Sequence, residues 1–166
     1  ESRYYLCNEN LRSVFYDGSQ WEYEKCNKYQ IAISQAGYPI KGLHKVIEAA
    51  ALLCNEFPDI KVKVGGANIF GGNWIKGNSY GIYIRQLLKK YNLQDQFEFE
   101  GFLSAEKMKR LLLESNVFVC PSSIENSPNS LGEAMILGVP CVASDVGGIS
   151  DMLTHNEEGF LYPFDD

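Results

Sequence analysis

Several things are scarce or missing in this chain, and each absence removes a class of function. There are two histidines in 166 residues, and neither His44 nor His155 stands in a triad-like pattern with a serine and an acid; both are expected at the surface. The five cysteines (Cys7, Cys26, Cys54, Cys120 and Cys141) are odd in number and include no CxxC pair. That argues for reduced thiols and against metal ligation. No apolar run approaches the roughly 20 residues of a membrane span, and the first residues show no signal-peptide pattern, so a cytoplasmic protein is expected. Fifteen basic residues against 21 acidic ones give a net charge of −6. Such a chain has no basic stripe for nucleic acid and no polybasic patch for an anionic membrane surface. Neither a Walker loop nor a GxGxxG turn occurs, which disfavours a nicotinamide dinucleotide.

What is present suits one domain with a substantial core, since 45% of residues are apolar. The chain begins at Glu1 rather than methionine and so reads as a piece of something longer. Residues 1–29 are tyrosine-rich and poorly periodic, with a helix expected from Asn8 to Tyr16 that stops at Asp17-Gly18. This segment reads as a lead-in or interdomain linker that packs on a neighbour outside the chain, and residues 30–166 read as the domain proper.

From Tyr29 the pattern becomes regular. Gln30 to Ser34 reads as a buried strand, and Leu43, Val46, Ile47, Ala50 and Ala51 mark a helical face that ends before Pro58. Ile60, Val62 and Val64 form a strand into Gly65-Gly66. Asn68 to Ser79, glycine-rich around Trp74, reads as a long loop of functional or partner-facing character. A helix over Ile82 to Tyr91, a strand through Phe97 and Phe99, and a helix over Met108 to Leu113 with Ser104 as its N-cap follow. Val117 to Val119 and Val139 to Ala143 are further strands. A glycine turn at Gly147-Gly148, a short helix through Met152 and a strand at Phe160-Leu161-Tyr162 complete the pattern. The alternation predicts an α/β fold, a Rossmann-like parallel sheet with helices on both faces. Ligands of such sheets sit beyond the carboxyl ends of the strands. That rule brings Ser34-Gln35, Gly65-Gly66, Gly101-Phe102, Ser122 to Ser130 and Gly147-Gly148 around one crevice.

The stretch from Cys120 to Ser144 organises this crevice. Ser127 is placed to cap a helix whose first residue is Pro128, which leaves the backbone N–H groups of Asn129, Ser130 and Leu131 as donors for an anion. Glu125 in the loop and Glu133 in the helix flank that anion site. Two carboxylates beside an anion suit a ligand with phosphates in its middle and hydroxyl-rich sugars at both ends; solvated helix-end acids are the plainer alternative. Lys41, beside Gly42, is the cation best placed for a diphosphate. Phe102 offers an aromatic or backbone edge to a base, core packing being the simpler explanation of a lone phenylalanine.

With these residues in place, the chain resembles the retaining glycosyltransferases of family four (group 1), which have the GT-B fold. The resemblance rests on Glu125-x7-Glu133 followed by Ala134-Met135, Gly138, Pro140, Val142-Ala143-Ser144-Asp145 and Gly147-Gly148. It extends from about Ile31 to Tyr162 through Lys41-Gly42, Val64-Gly65, Phe99-x-Gly101 and Pro121-Ser122. It implies that the chain is the C-terminal, donor-binding half of an enzyme that transfers a hexosyl group from a nucleotide-diphosphate sugar, with retention and without metal or other cofactor. By position, Lys41 would contact the diphosphate, Glu125 the donor sugar and Glu133 the ribose. The amides of Asn129 to Leu131 would hold phosphate, Phe102 would lie beside the base, and Ser34, Gln35 and Gly65 would complete the donor site. Lys41 and Glu125 would carry the catalytic roles.

The implied partners are the donor and an N-terminal acceptor domain of the same polypeptide, through which a glycan or lipid-linked acceptor and peripheral membrane contact would come. The isolated half is then expected to bind donor weakly and transfer nothing. Two positions depart from the family. Ser34-Gln35-Ala36 stands where many members have an arginine before the lysine, and Asn126-Ser127-Pro128-Asn129 replaces Gly-Phe-Gly after the first glutamate. A sugar-nucleotide epimerase or hydrolase on the same fold, or a non-catalytic interaction module, are the competing readings.

Overall fold

Short apolar runs rich in β-branched residues alternate with amphipathic helices, and each run has become a parallel strand. The computed structural model describes residues 10–70 and 79–165. In chain order these are β1 (Asn27–Ile33), α1 (Leu43–Leu53), β2 (Lys61–Gly65), α2 (Ser79–Tyr91), β3 (Phe97–Gly101), α3 (Ala105–Glu114), β4 (Ser115–Cys120), α4 (Asn129–Ile136), β5 (Cys141–Ser144) and β6 (Gly159–Tyr162). The sheet order is β3-β2-β1-β4-β5-β6, and every neighbouring pair is parallel. Among the described residues no helix is long and apolar enough to cross a membrane.

Alternation along the strands divides the core into two layers. Ile31, Ile33, Val62 and Val64 face Leu43 and Ile47 of α1 and Ile84 and Leu88 of α2. On the other face Ala32, Phe118 and Ala143 meet Leu112 of α3 and Leu131 and Leu137 at α4. Phe118 is fully buried, and covering a side chain of that size contributes roughly 1.5–3 kcal/mol. The order reverses between β1 and β4, so their carboxyl ends open onto a crevice where the chain turns opposite ways.

Several expectations shift. The helix expected from Asn8 to Tyr16 is, in its described part, a single 3-10 turn over Ser13–Tyr16; residues 8 and 9 lie outside the described residues. The described part of the segment before β1 packs on this domain. Phe15 is in the α3/α4 layer, the Trp21 indole donates to the Ser115 carbonyl at 2.8 Å, and Cys26 is buried. β1 also begins at Asn27, ahead of the boundary expected at residue 30. Lys109, buried on α3, secures the segment by donating to the Val14 carbonyl at 3.2 Å and pairing with Asp17. The short helix expected through Met152 is a 3-10 turn over Gly147–Ile149. Of the expected loop from Asn68 to Ser79, Ser79 opens α2, while residues 71–78, Trp74 included, lie outside the described residues. His44 is half-buried against Tyr80 and Tyr83, not at the surface, and burial lowers its pKa.

Candidate donor site

Four of the five expected strand ends line two adjoining clefts, and the fifth supports one of their walls. The smaller cleft, about 210 Å³, is lined by Ser34, Gln35, Lys41, Glu125, Asn129 and Ser130 together with the start of the β4–α4 loop. The larger, about 550 Å³, runs past Gly65, Gly66 and Phe102 to Glu133. Ser34, Gln35, Asn129 and Ser130 line both, so the two clefts form one continuous trough. Gly147 and Gly148 stand behind it. A Cβ at Gly147 would meet the Glu125 carbonyl at 1.8 Å and one at Gly148 the Asn126 carbonyl at 1.9 Å. Those glycines let the β5 end press against the Glu125 loop, and the Gly148 amide donates to the Glu125 carbonyl at 3.2 Å.

Lys41 ends a 3-10 turn over Pro39–Lys41, and Gly42 follows at φ +72°. A Cβ on Gly42 would fall 1.7 Å from the Pro121 carbonyl, so only glycine brings the lysine this close to the β4 end. There the Lys41 ammonium pairs with Glu125 Oε1, which also accepts from Ser122 Oγ at 2.7 Å. Sequence reasoning assigned Lys41 and Glu125 to different parts of a ligand; the fold makes them one ion pair. Ser122, part of the Pro121-Ser122 motif and of the crevice loop, has no role in the sequence reading, although its position three residues before Glu125 is the available signal.

The start of α4 differs from the expectation. Pro128 is itself the N-cap residue, Asn129 the first helical one, and Ser127 Oγ turns to the Met152 sulfur at 3.7 Å and caps nothing. Pro128 has no side-chain acceptor, so the first turn tightens and its carbonyl takes the Leu131 amide at 2.9 Å and the Gly132 amide at 3.3 Å. Leu131 is therefore not an open donor, and its side chain is buried in the core. The Asn129 and Ser130 amides have no partner among the described residues, and both residues face the trough. They present two donors at the positive end of the helix, a geometry that attracts anions.

Phe102 is not core. It is 86% exposed at the lip of the larger cleft. Gln35, where many relatives by resemblance carry an arginine nearby, has φ +55° and lines both clefts. A non-glycine residue in that conformation stores about 1–3 kcal/mol of strain, a cost that concentrates at functional positions. Gly66 is equally constrained: at φ +117° its Cβ would lie 2.8 Å from the Gln35 Cα. Glu133 holds the far end of the trough with its side chain only 3% exposed. Its partner is Arg12, which sequence reasoning missed and which no local signal marked, because the two residues are 121 positions apart. Arg12 donates from Nε to Oε1 at 2.6 Å and from Nη2 to Oε2 at 2.7 Å. That hydrogen bonding raises the Arg12 pKa above its ordinary value. Among the described residues no three His, Cys, Asp or Glu side chains gather as a metal site would require.

The trough thus offers two open amides between two ion pairs, Lys41–Glu125 and Arg12–Glu133, a pattern that suits a phosphate-centred ligand with hydroxyls at both ends. Comparison with known proteins gives the family and the fold. The family model of "Glycosyl transferases group 1" matches residues 19–166. The putative colanic acid biosynthesis glycosyltransferase WcaL of Escherichia coli (strain K12) is 30% identical over 132 residues, covering 76% of this chain and 30% of WcaL. The chain therefore spans about 30% of that relative's length. The 2-deoxystreptamine N-acetyl-D-glucosaminyltransferase of Niallia circulans is 37% identical over 78 residues, 47% of this chain and 20% of that protein. Among solved structures, HepE of Anabaena in complex with UDP matches with a TM-score of 0.72 at 25% identity, over 82% of this chain and 35% of HepE. HepE has also been solved with UDP-glucose. The C-terminal domain of a group 1 glycosyl transferase (LpcC) from Francisella tularensis matches in fold, with a TM-score of 0.67 at 23% identity over 94% of this chain and 75% of that domain. The expected Rossmann-like sheet is the one these GT-B structures share.

Proposed function

The chain belongs to the group 1 glycosyl transferases, and from that premise we propose that it is the donor-binding half of a retaining hexosyltransferase, holding a nucleotide-diphosphate sugar in the trough beyond β1 and β4. The observation that carries the reading is the sharing of Ser34, Gln35, Asn129 and Ser130 between the two clefts, with the Lys41–Glu125 pair at one end and Glu133 at the other. A diphosphate lies across the shared residues, the nucleoside fills the wide cleft past Gly65 and Phe102, and the sugar reaches Glu125. The UDP and UDP-glucose complexes of HepE support a uridine diphosphate donor.

The chemistry follows from where charge develops. As the bond from sugar to diphosphate breaks, negative charge grows on the leaving phosphate. Lys41 and the Asn129 and Ser130 amides are preorganised to take it, the kind of stabilisation that is usually the largest catalytic contribution. Glu125 spends Oε1 on Lys41 and Ser122, which leaves Oε2 to accept from a sugar hydroxyl. Retention in this scheme needs no carboxylate nucleophile, and no metal is required to neutralise the diphosphate. A glycan or lipid-linked acceptor would be held by a separate N-terminal domain, and the half alone binds donor without transferring it.

Titration calorimetry tests this reading. Binding of UDP or another nucleoside diphosphate, lost in Glu133→Ala, is the expected result. Absence of binding for every nucleoside diphosphate overturns the donor reading. Turnover by this chain alone on a simple acceptor overturns its status as a half-site.

A further inference from the structure

Glu133 is the most enclosed acid of the trough, and both oxygens of a carboxylate buried there need hydrogen-bond partners. Arg12 provides both, in the fork-to-fork arrangement that is the strongest geometry between these groups. Arg12 lies ahead of residue 19, where the family match begins, so the pair joins the site to a segment that this match does not include. That segment is well held. The Arg12 guanidinium sits 5.2 Å from the centre of the Phe15 ring, Phe15 is buried, and Lys109 grips Val14 and Asp17.

Two features define what the pair does. A carboxylate offers two acceptor positions on each oxygen, so a bidentate arginine uses one apiece and leaves one apiece for other donors. Arg12 and Glu133 both line the wide cleft, so those remaining positions belong to a side chain at its wall. Glu133 is also one helical turn from the Asn129 and Ser130 amides, where an unneutralised carboxylate would repel a phosphate.

Resting on the donor reading above, we propose that Arg12 is a positioning residue for the nucleotide. It fixes the Glu133 carboxylate and cancels its charge, so that the free acceptor positions meet the ribose diol while the nearby helix end keeps its attraction for phosphate. The opposite arrangement, with Arg12 blocking Glu133 until a donor expels it, predicts effects of opposite sign.

Calorimetry with UDP and its 2′-deoxy and 3′-deoxy analogues decides between them, using the wild-type chain, Arg12→Ala and Arg12→Lys, with circular dichroism confirming the fold of each. The wild type is expected to bind UDP roughly tenfold more tightly than either deoxy analogue, the equivalent of one hydrogen bond to a charged group. In Arg12→Ala that ribose preference should fall to near unity with a loss of UDP affinity, and Arg12→Lys, which keeps the charge but not the fork, should restore only part of it. If Arg12→Ala does not fold, a reduced ribose preference in Arg12→Lys remains the expected result. An unchanged ribose preference in a folded Arg12 variant overturns the proposal and leaves the donor reading standing. Tighter UDP binding by Arg12→Ala overturns it in favour of a blocking arginine. No UDP binding by the wild type overturns both.

Discussion

Glu125 receives the Lys41 ammonium and the Ser122 hydroxyl on one oxygen, Oε1, and among the described residues nothing bonds its Oε2. A single carboxylate thereby orients Lys41 and keeps an acceptor open. The two side chains are 21% and 12% exposed, enclosed enough for the pair to matter.

Removing the cation should therefore have two consequences. Lys41→Met should weaken nucleoside diphosphate binding by about 1.5–3 kcal/mol, roughly 10–100-fold in Kd, as expected for a charge-assisted contact to phosphate. Because Lys41 and Glu125 touch, a double-mutant cycle with Glu125→Gln should be non-additive by about 0.5–3 kcal/mol in both stability and affinity. Strict additivity in denaturant titrations and calorimetry would show the two to be independent.

A methyl group behind the loop should do comparable harm without touching any ligand. Gly147 has φ +54°, and its Cβ would lie 1.8 Å from the Glu125 carbonyl. Gly147→Ala should cost about 1–3 kcal/mol from the backbone alone, and more from the clash. Differential scanning calorimetry should record a lower Tm, with weaker donor binding as the Glu125 loop is displaced. An unchanged Tm would mean that the loop moves aside freely.

The anchor of the N-terminal segment should appear in acid. The hydrogen bond from Lys109 holds the Asp17 carboxyl down to about 2, against 3.8 for an unperturbed aspartate. Between these values the unfolded chain takes up a proton that the folded chain resists, so this contribution is complete above about pH 4 and is lost as pH falls toward 2. Asp17→Asn should flatten that part of a plot of Tm against pH and leave the neutral region parallel to wild type. Identical acid limbs would dismiss the contact.

Thiol chemistry gives a check on the second core layer. Burial pushes the Cys120 thiol up to about 11 and the Cys141 thiol to about 12, and both side chains are buried. Neither is thiolate at neutral pH, and thiolate is the reactive form. Iodoacetamide at pH 8 should spare both in the native protein and label both in guanidinium, as read by peptide mass spectrometry. Native labelling of Cys120 would show that the β4 end opens.

The repeating elements were legible because burial on both faces of a parallel strand demands continuous apolar runs, and helices demand spaced ones. Ile31-Ala32-Ile33 and Val117-Phe118-Val119 announce themselves in this way, Val62 and Val64 by alternation with Lys61 and Lys63, and Ser104 as the cap of α3, accepting from the Lys107 amide at 3.3 Å. Gly42, Lys41, Glu125 and Glu133 marked the trough for a similarly local reason, since Lys41 and Gly42 precede α1, Glu125 lies in the loop after β4 and Glu133 lies one turn into α4. Pairing was not legible. Periodicity is a property of neighbours in sequence, whereas Lys41 meets Glu125 across 84 positions and Arg12 meets Glu133 across 121. The sequence by itself determined a parallel α/β sheet with acids and a lysine at its carboxyl edge. Only the tertiary structure decided which charge neutralises which, because long-range ion pairs are set by where the packed layers deliver their ends.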